Sequence, residues 1–253
     1  MRYYLPKLTL VVNRKGVLDL DTVKGCALGM QAHPGGGCYG CCYAAKTAKL
    51  YGMNFSISVS RKADGNELAK IKTKIERSPL PFVRTGNMGD PCHDWEWTAE
   101  VAEEIGDIKP FIVITKHWIE CPDDILERLG GAGAILNTSI SPLDSEAERD
   151  HRLAQYNRYK SMGKSILRIV SCDFVESHPI GASLMKVQDN LFQNDKIIDN
   201  PLRITKRYPL LLDGIIRAEL IPDLNSKSLI SRFNPKTYIG KCDDCPDLCG
   251  VVL

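Results

Sequence analysis

Four of the ten cysteines lie close together in one segment, at Cys26, Cys38, Cys41 and Cys42. The stretch that leads into Cys38 contains three consecutive glycines, which reach backbone angles that other residues avoid, so this loop can wrap around a metal centre. Three thiolates on a loop are the usual way in which proteins hold an iron–sulfur cluster. The segment therefore predicts such a cluster, with a structural zinc site that also uses His33 as the alternative.

A second group of cysteines lies near the end of the sequence, at Cys242, Cys245 and Cys249. Three thiols this close predict metal ligation. A second iron–sulfur cluster would need one more ligand, for which Cys121, Cys172 or the substrate are candidates, and zinc with a distant fourth ligand is comparably favoured. A tail of free thiols is the remaining alternative.

Composition narrows the class of protein. The chain has 253 residues, of which 25% are charged, and its net charge is +2, so it lacks the strongly basic balance that is typical of nucleic-acid-binding domains. No apolar run has the length of about 20 residues that a membrane span needs, and the first residues do not resemble a signal peptide. We expect a cytoplasmic protein with no membrane partner, whose cysteines are reduced and available for metal.

Strand and helix patterns alternate along the chain, which is typical of parallel βαβ units. Five or six such units suit a complete or partial barrel. We expect a barrel domain over residues 1–235 and a cysteine-rich tail over residues 236–253. The predicted strands are 8–12, 55–59, 82–85, 110–116, 134–141, 165–170 and 214–220, and the predicted helices are 43–53, 66–76, 94–105, 122–129, 146–162 and 180–192.

Functional residues of barrels lie at the carboxyl ends of the strands. In this sequence those ends carry the turn 86–90, Thr115, Lys116, the segment 139–141 and Arg168. Each has a simpler explanation: Asp90 could cap a helix, Lys116 could be a solvated lysine at a strand end, Ser139 and Ser141 could be ordinary strand residues, and Arg168 could pair with an acidic side chain.

The cysteine loop followed by Tyr43 and Ala44, the strand that ends in residues 85–91, the strand that ends in Thr115 and Lys116, and the strand 137–141 occur in this order. This series resembles the radical S-adenosylmethionine (SAM) enzymes, and within them the spore photoproduct lyase group and related phage-encoded members. The resemblance covers roughly residues 20–220. It implies a partial (β/α)6 barrel and a [4Fe–4S] cluster whose open iron binds the amino and carboxylate groups of SAM.

The resemblance also implies residue roles. The residues that match the position that binds the methionine amino group are Gly86, Asn87, Met88, Gly89 and Asp90, and those that match contacts to the SAM carboxylate or ribose are Ser139, Ser141 and Arg168. The ligand spacing departs from the usual pattern, because the gap between Cys26 and Cys38 is longer. Spacing favours Cys41 as the third ligand after Cys26 and Cys38, while the following Tyr43 and Ala44 favour Cys42, and we predict Cys41 with Cys42 as the alternative.

The implied activity is reductive cleavage of SAM, after which a 5′-deoxyadenosyl radical rearranges or cleaves a substrate, as in an isomerase or a lyase. An electron donor of the flavodoxin or ferredoxin type is the implied partner. The substrate that the resemblance favours is a modified thymine base in phage DNA, where Lys116, Arg168 and Arg217 could meet phosphates. No catalytic side chain is assigned. The alternative function is a non-catalytic zinc-binding interaction protein.

Overall fold

The computed structural model describes residues 1–34, 36–204, 207–217, 242 and 245–253. Within these residues the main sheet has seven strands in the order β1-β2-β5-β6-β7-β8-β9, and a separate pair is formed by β3 and β4. The strand bounds are β1 Val11–Val12, β2 Leu18–Asp19, β3 Val23–Lys24, β4 Val59–Ser60, β5 Val83–Thr85, β6 Phe111–Thr115, β7 Ile135–Ile140, β8 Lys164–Ile169 and β9 Ile197–Asp199.

Helices connect most of these strands. Their bounds are α1 Ala27–Ala32, α2 Tyr43–Leu50, α3 Gly65–Arg77, α4 Trp95–Ile105, α5 Asp123–Gly131, α6 Glu146–Lys160, α7 Pro179–Phe192 and α8 Pro209–Leu212. Local sequence explains several of the starts, because the Asp64 and Ser145 side chains cap α3 and α6 in capping boxes with Glu67 and Glu148. No helix in the described ranges combines the length and the apolar character that a membrane crossing requires.

The sheet is mostly parallel, as the alternating pattern predicts. From β2 to β9 every neighbouring pair is parallel, and only the edge strand β1 runs antiparallel to its neighbour. The mixed α/β class is therefore confirmed. Parallel strands bring all their carboxyl ends to one edge of the sheet, which is where loops from several strands can build a site together.

Alternate residues of the central strands belong to two different cores. Val113 and Leu136 face the helices α3, α4 and α5, while Ile112 and Ile135 lie on the opposite face, which we call the inner face. Cys249, near the end of the chain, packs on this inner face against the same isoleucines. The sheet is thus covered by helices on one side and partly by the C-terminal turn on the other.

Some predicted elements differ from the structure. The predicted strands 8–12 and 55–59 are wrong in extent, because the structure has only Val11–Val12 and Val59–Ser60 there. The predicted strand 214–220 continues into residues outside the described ranges, and its described part carries only an isolated bridge between Phe174 and Ile216. The domain boundary predicted near residue 235 also lies outside the described residues.

Candidate functional site

A cavity of about 120 Å³ lies at the carboxyl ends of β5, β6 and β7. The starts of α1 and α2 form its other side. Its lining consists of Cys26, Gly29, Gly37, Cys38, Cys42, Tyr43, Ala44, Phe55, Gly86, Asn87, Gly89, Asp90, Ile114, Thr115, Lys116, Trp118 and Ser139. The cavity therefore brings the cysteine segment together with the predicted strand ends.

Three thiols of the cysteine segment line this cavity. Cys26 immediately precedes α1, Cys42 immediately precedes α2, and Cys38 begins a short 3-10 turn between them. Burial, followed by smaller effects of Asp90 and neighbouring thiols, raises the pKa of Cys26. Burial also raises the pKa of Cys38 to about 12, and Lys116 opposes that shift. The buried thiols thus keep their protons until a cation replaces them.

Two glycines make room for these side chains. A Cβ atom at Gly29 would lie 2.7 Å from the Cys26 sulfur, and one at Gly37 would lie 2.9 Å from the Cys42 Cβ. Gly37 also has a φ of +62°, which L-residues rarely adopt. Larger residues at either position would push the cysteines away from their places at the cavity.

Cys41 lies elsewhere. It belongs to an apolar cluster with Cys172, Phe174 and Tyr208, and it does not line the cavity. The reason is local geometry, since Cys41 ends the 3-10 turn with φ −139° and Cys42 starts α2 with φ −53°, so the two side chains leave the backbone in different directions.

The three thiols on the cavity are suitable ligands for a metal group, although they do not converge on one point. Across the ranges that the structure describes, no three histidine, cysteine or carboxylate side chains converge closely enough for a single metal ion. Nε2 of His33 and Nε1 of Trp118 are buried near the cavity and have no hydrogen-bond partner among the residues that the structure describes. Buried polar groups are normally satisfied, so these two atoms are available to a polar group bound beside them.

The turn 86–90 is held by specific contacts. Gly86 has a φ of +91°, and a Cβ there would lie 2.1 Å from the Ile114 carbonyl oxygen. The Asn87 backbone N–H donates to the Asp21 carboxylate at 2.8 Å, and its side-chain amide donates to Asp19 at 2.9 Å. The Tyr43 hydroxyl donates to the side-chain oxygen of Asn87. This turn is therefore tied to the start of α2, next to Cys42.

Asp90 anchors the ends of two strands. One of its oxygens accepts from the Cys92 N–H at 3.1 Å and from the Thr115 hydroxyl at 2.7 Å, and the other accepts from the Lys116 N–H at 2.8 Å. The contact with the Cys92 N–H is a helix cap, as the alternative interpretation of Asp90 expects. A role of Asp90 in binding a cofactor stays a prediction.

The other predicted residues are spread around this edge. Ser139 lines the cavity, whereas the Ser141 hydroxyl donates to the Val170 carbonyl oxygen at 2.7 Å and does not reach it. Arg168 stands beside Ser139 in the β7–β8 register, and its guanidinium donates to the Asn200 side-chain oxygen at 3.0 Å. The alternative in which Arg168 pairs with an acidic side chain is not seen among the described contacts, because Asn200 carries a neutral amide.

A buried polar network next to Cys38 was not predicted from the sequence. The Tyr39 hydroxyl donates to Asp144 at 2.7 Å, and Arg152 pairs with the same carboxylate at 2.5 Å. The Lys116 ammonium lies 4.3 Å from the centre of the Tyr39 ring. Burial alone would raise the pKa of Asp144, but Lys116 and Arg152 outweigh it and hold that pKa below its ordinary range. The network fixes the turn that carries Cys38.

The predicted second site involves Cys242, Cys245 and Cys249, and all three are described. The Cys245 N–H donates to the Cys242 carbonyl oxygen at 3.3 Å, and the Cys249 carbonyl oxygen accepts from the Asn137 side chain at 3.0 Å. Cys242 and Cys249 therefore lie against the inner face. A metal there stays a prediction.

Two solved structures share the fold of this chain, and both are of spore photoproduct lyase. A tyrosine-to-phenylalanine mutant gives a TM-score of 0.55, and a cysteine-to-alanine mutant with dinucleoside spore photoproduct gives 0.53. Each is 14% identical to this chain, and the alignment covers 97% of this chain and 75% of the other. No protein-family model and no curated protein sequence matches the chain. The predicted resemblance to the spore photoproduct lyase group is confirmed in its fold.

Proposed function

We propose that this protein is a radical SAM enzyme whose six parallel strands form a partial (β/α)6 barrel. The observation that carries the proposal is the cavity at the carboxyl strand ends, where Cys26, Cys38 and Cys42 meet the turn 86–90. A [4Fe–4S] cluster held by these thiolates would supply the electron for reductive cleavage of SAM, and this cleavage would provide the 5′-deoxyadenosyl radical chemistry of the proposed reaction.

The ligands that we propose are Cys26, Cys38 and Cys42, in preference to Cys41. A multi-iron cluster spaces its thiolates more widely than one metal ion does, which suits three thiols that share a cavity without converging. Lys116 lies on the same cavity, and its positive charge favours deprotonation of Cys38. The residues that we propose for SAM are Gly86, Asn87, Gly89, Asp90 and Ser139, which line the cavity. Ser141 and Arg168, for which the resemblance also implies a SAM contact, lie outside the lining and are not part of this proposed set.

Adjacent cysteines offer a matched test of the ligand set. We expect that Cys42→Ala, reconstituted with iron and sulfide under anaerobic conditions, loses the cluster and all formation of 5′-deoxyadenosine, because one thiolate is missing. Cys41→Ala should retain both, because its thiol packs among apolar side chains away from the cavity. Iron content, visible absorption and chromatography of the SAM products measure the result.

Other outcomes would contradict the proposal. If Cys41→Ala lost the cluster and Cys42→Ala kept it, the ligand assignment would be wrong. If the wild-type protein took up only zinc and stayed colourless after reconstitution, the enzyme proposal would fail in favour of a zinc-binding interaction protein.

The substrate class that we propose is a modified thymine base in a nucleotide or in DNA, and the reaction a rearrangement or a cleavage. One solved structure of the shared fold contains a dinucleoside photoproduct, which supports a nucleobase substrate. An electron donor of the flavodoxin or ferredoxin type completes the proposal. Formation of 5′-deoxyadenosine in step with conversion of thymine-modified DNA supports it, and an absence of DNA binding even at low salt contradicts it.

A further inference from the structure

Four cations gather on the inner face of the sheet beside the cavity: Lys15, Arg84, Arg168 and Arg203. The strand register places the side chains of Arg84 and Arg168 on the inner face, since residues in register on neighbouring strands point to the same side of a sheet. Arg84 is in register with Ile112, which belongs to the inner core, and Arg168 is in register with Ser139, which lines the cavity.

The remaining two cations approach the same place. Lys15 lies within electrostatic range of Arg203, Arg84 and Arg168, and its carbonyl oxygen accepts from the Cys242 N–H at 2.8 Å on the inner face. Burial lowers the pKa of Arg203, and repulsion from Arg168 and Arg84 lowers it further. Lys15 and Arg203 therefore both lie within electrostatic range of the two arginines that strand register places on the inner face.

Two carboxylates lie near this group, Asp19 and Asp21, and both are beside Arg84. Arg84 pairs with Asp19 at 2.8 Å, whereas the contact of Arg168 within the described residues is with the neutral Asn200 side chain. For Lys15 and Arg203, no ion pair with a carboxylate is formed within the part of the chain that the structure describes. Arg84 is buried and the other three cations are half-buried. Like charges held near one another in partly desolvated surroundings repel each other, and a bound anion offsets that repulsion.

We propose that Lys15, Arg84, Arg168 and Arg203 bind a phosphate group of the substrate. Guanidinium groups donate paired hydrogen bonds that match phosphate oxygens, and several cations suit a doubly charged group better than a single carboxylate. The site adjoins the cavity, because Asp19 pairs with Arg84 and also accepts from Asn87, which lines the cavity. This inference rests on the proposed function and narrows its substrate to a phosphorylated nucleoside or a nucleic acid.

Ligand binding to the 253-residue protein tests the phosphate site without requiring catalytic turnover. Calorimetric titrations would use inorganic phosphate, thymidine and thymidine 5′-monophosphate. We expect the monophosphate to bind at least about tenfold more tightly than thymidine, and Arg203→Gln to remove that advantage, since a charge-assisted hydrogen bond is worth about this much. The control Arg77→Gln removes the same charge from an exposed position at the end of α3 and should bind like the wild type.

Equal binding of thymidine and its monophosphate would overturn the proposal. So would a monophosphate preference that Arg203→Gln leaves intact. Arg203→Gln removes no ion pair within the described residues, so we expect its melting temperature without ligand to be no lower than that of the wild type. Arg168→Gln, which among the described residues loses the contact with Asn200, is the second variant and should show the same loss of phosphate binding.

The carboxylate of SAM is also an anion that these cations could bind. A separate titration with SAM distinguishes binding of this carboxylate from binding of a substrate phosphate. We expect the reconstituted Arg203→Gln variant to keep its iron and its affinity for SAM. A loss of SAM affinity with unchanged phosphate binding would assign the cations to the SAM carboxylate and overturn the proposal. If the protein binds phosphate but forms no cluster, the phosphate site is supported and the radical SAM function is contradicted.

Discussion

His117 is a buried titratable residue whose surroundings disfavour its charged form. Its side chain is 1% exposed, and its Nε2 atom lies 3.1 Å from the Thr138 hydroxyl. Burial lowers its pKa to about 3, and the nearby charges of His151, Arg152 and Arg158 add to this effect. The Trp95 ring, 5.4 Å away, completes its apolar side. The imidazole is therefore neutral in the folded protein.

This environment predicts how stability depends on pH. In the unfolded chain His117 binds a proton below about pH 6.5, but in the folded protein it does so only below about pH 3. The free energy of unfolding should therefore fall as the pH drops through this window, by up to about 1.4 kcal/mol per pH unit from this residue. Urea unfolding at several pH values measures the slope.

The matched variants are His117→Gln and His178→Asn. The first should flatten the slope, whatever its stability at neutral pH, because it cannot take up the proton. The second replaces a histidine that caps α7 by another good capping residue and should keep the slope. An unchanged slope in His117→Gln would show that other groups control the acid sensitivity.

Residue types could be predicted from the sequence more readily than side-chain directions. The clustering of Cys26, Cys38, Cys41 and Cys42 predicted a site, and the structure places three of these thiols on one cavity. Spacing could not decide between Cys41 and Cys42, because their directions depend on where the 3-10 turn ends and α2 begins. Contacts between distant segments, such as that of Tyr39 with Asp144, leave no local signal.

At the scale of elements, two glycines bring the cysteine segment against the turn after β5. Gly25 and Gly89 form a parallel bridge, and the Gly25 N–H donates to the Met88 carbonyl oxygen at 2.9 Å. A Cβ at Gly89 would lie 2.5 Å from the Val23 carbonyl oxygen and 2.9 Å from that of Gly25. This close approach of two backbones positions Cys26 at the cavity.

The contact predicts that Gly89→Ala is destabilising by about 1–3 kcal/mol, because backbone atoms must move to admit the methyl group. We expect it also to lower the iron content after reconstitution, since Cys26 would shift. Gly131→Ala is the control: nothing lies within 4 Å of its Cβ position at the end of α5, so it should be neutral or stabilising. Urea unfolding compares them, and equal stabilities would contradict the bridge.

Elements that are long or fully buried could be predicted, and short ones could not. The apolar runs of β6 and β7 predict buried strands, and Asp94 and Gly106 mark the ends of α4 as expected. The strands Leu18–Asp19 and Val23–Lys24 have two residues each. Segments this short have no period of their own, and only their partners define them as strands.

For the whole molecule, the C-terminal turn covers the apolar part of the inner face. Cys249 packs among Ile112, Ile135 and Ile166, and its carbonyl oxygen accepts from Asn137. This packing leaves the carboxyl edge of the sheet for the cavity and the cation group. The tail thus closes one part of the inner face, which its cysteines alone could not indicate.

The C-terminal turn approaches the inner core closely at Gly250. Its φ is +100°, and a Cβ there would lie 2.7 Å from Cγ1 of Ile166. Gly133 also has a positive φ, +66°, but nothing lies within 4 Å of its Cβ position. Gly133→Ala should therefore cost about 1 kcal/mol of backbone strain, and Gly250→Ala about 2–4 kcal/mol, because the methyl group also clashes with the inner core. Equal losses in urea unfolding would mean that the tail does not pack against Ile166, and a larger loss for Gly250→Ala would support the closure of the inner face by the end of the chain.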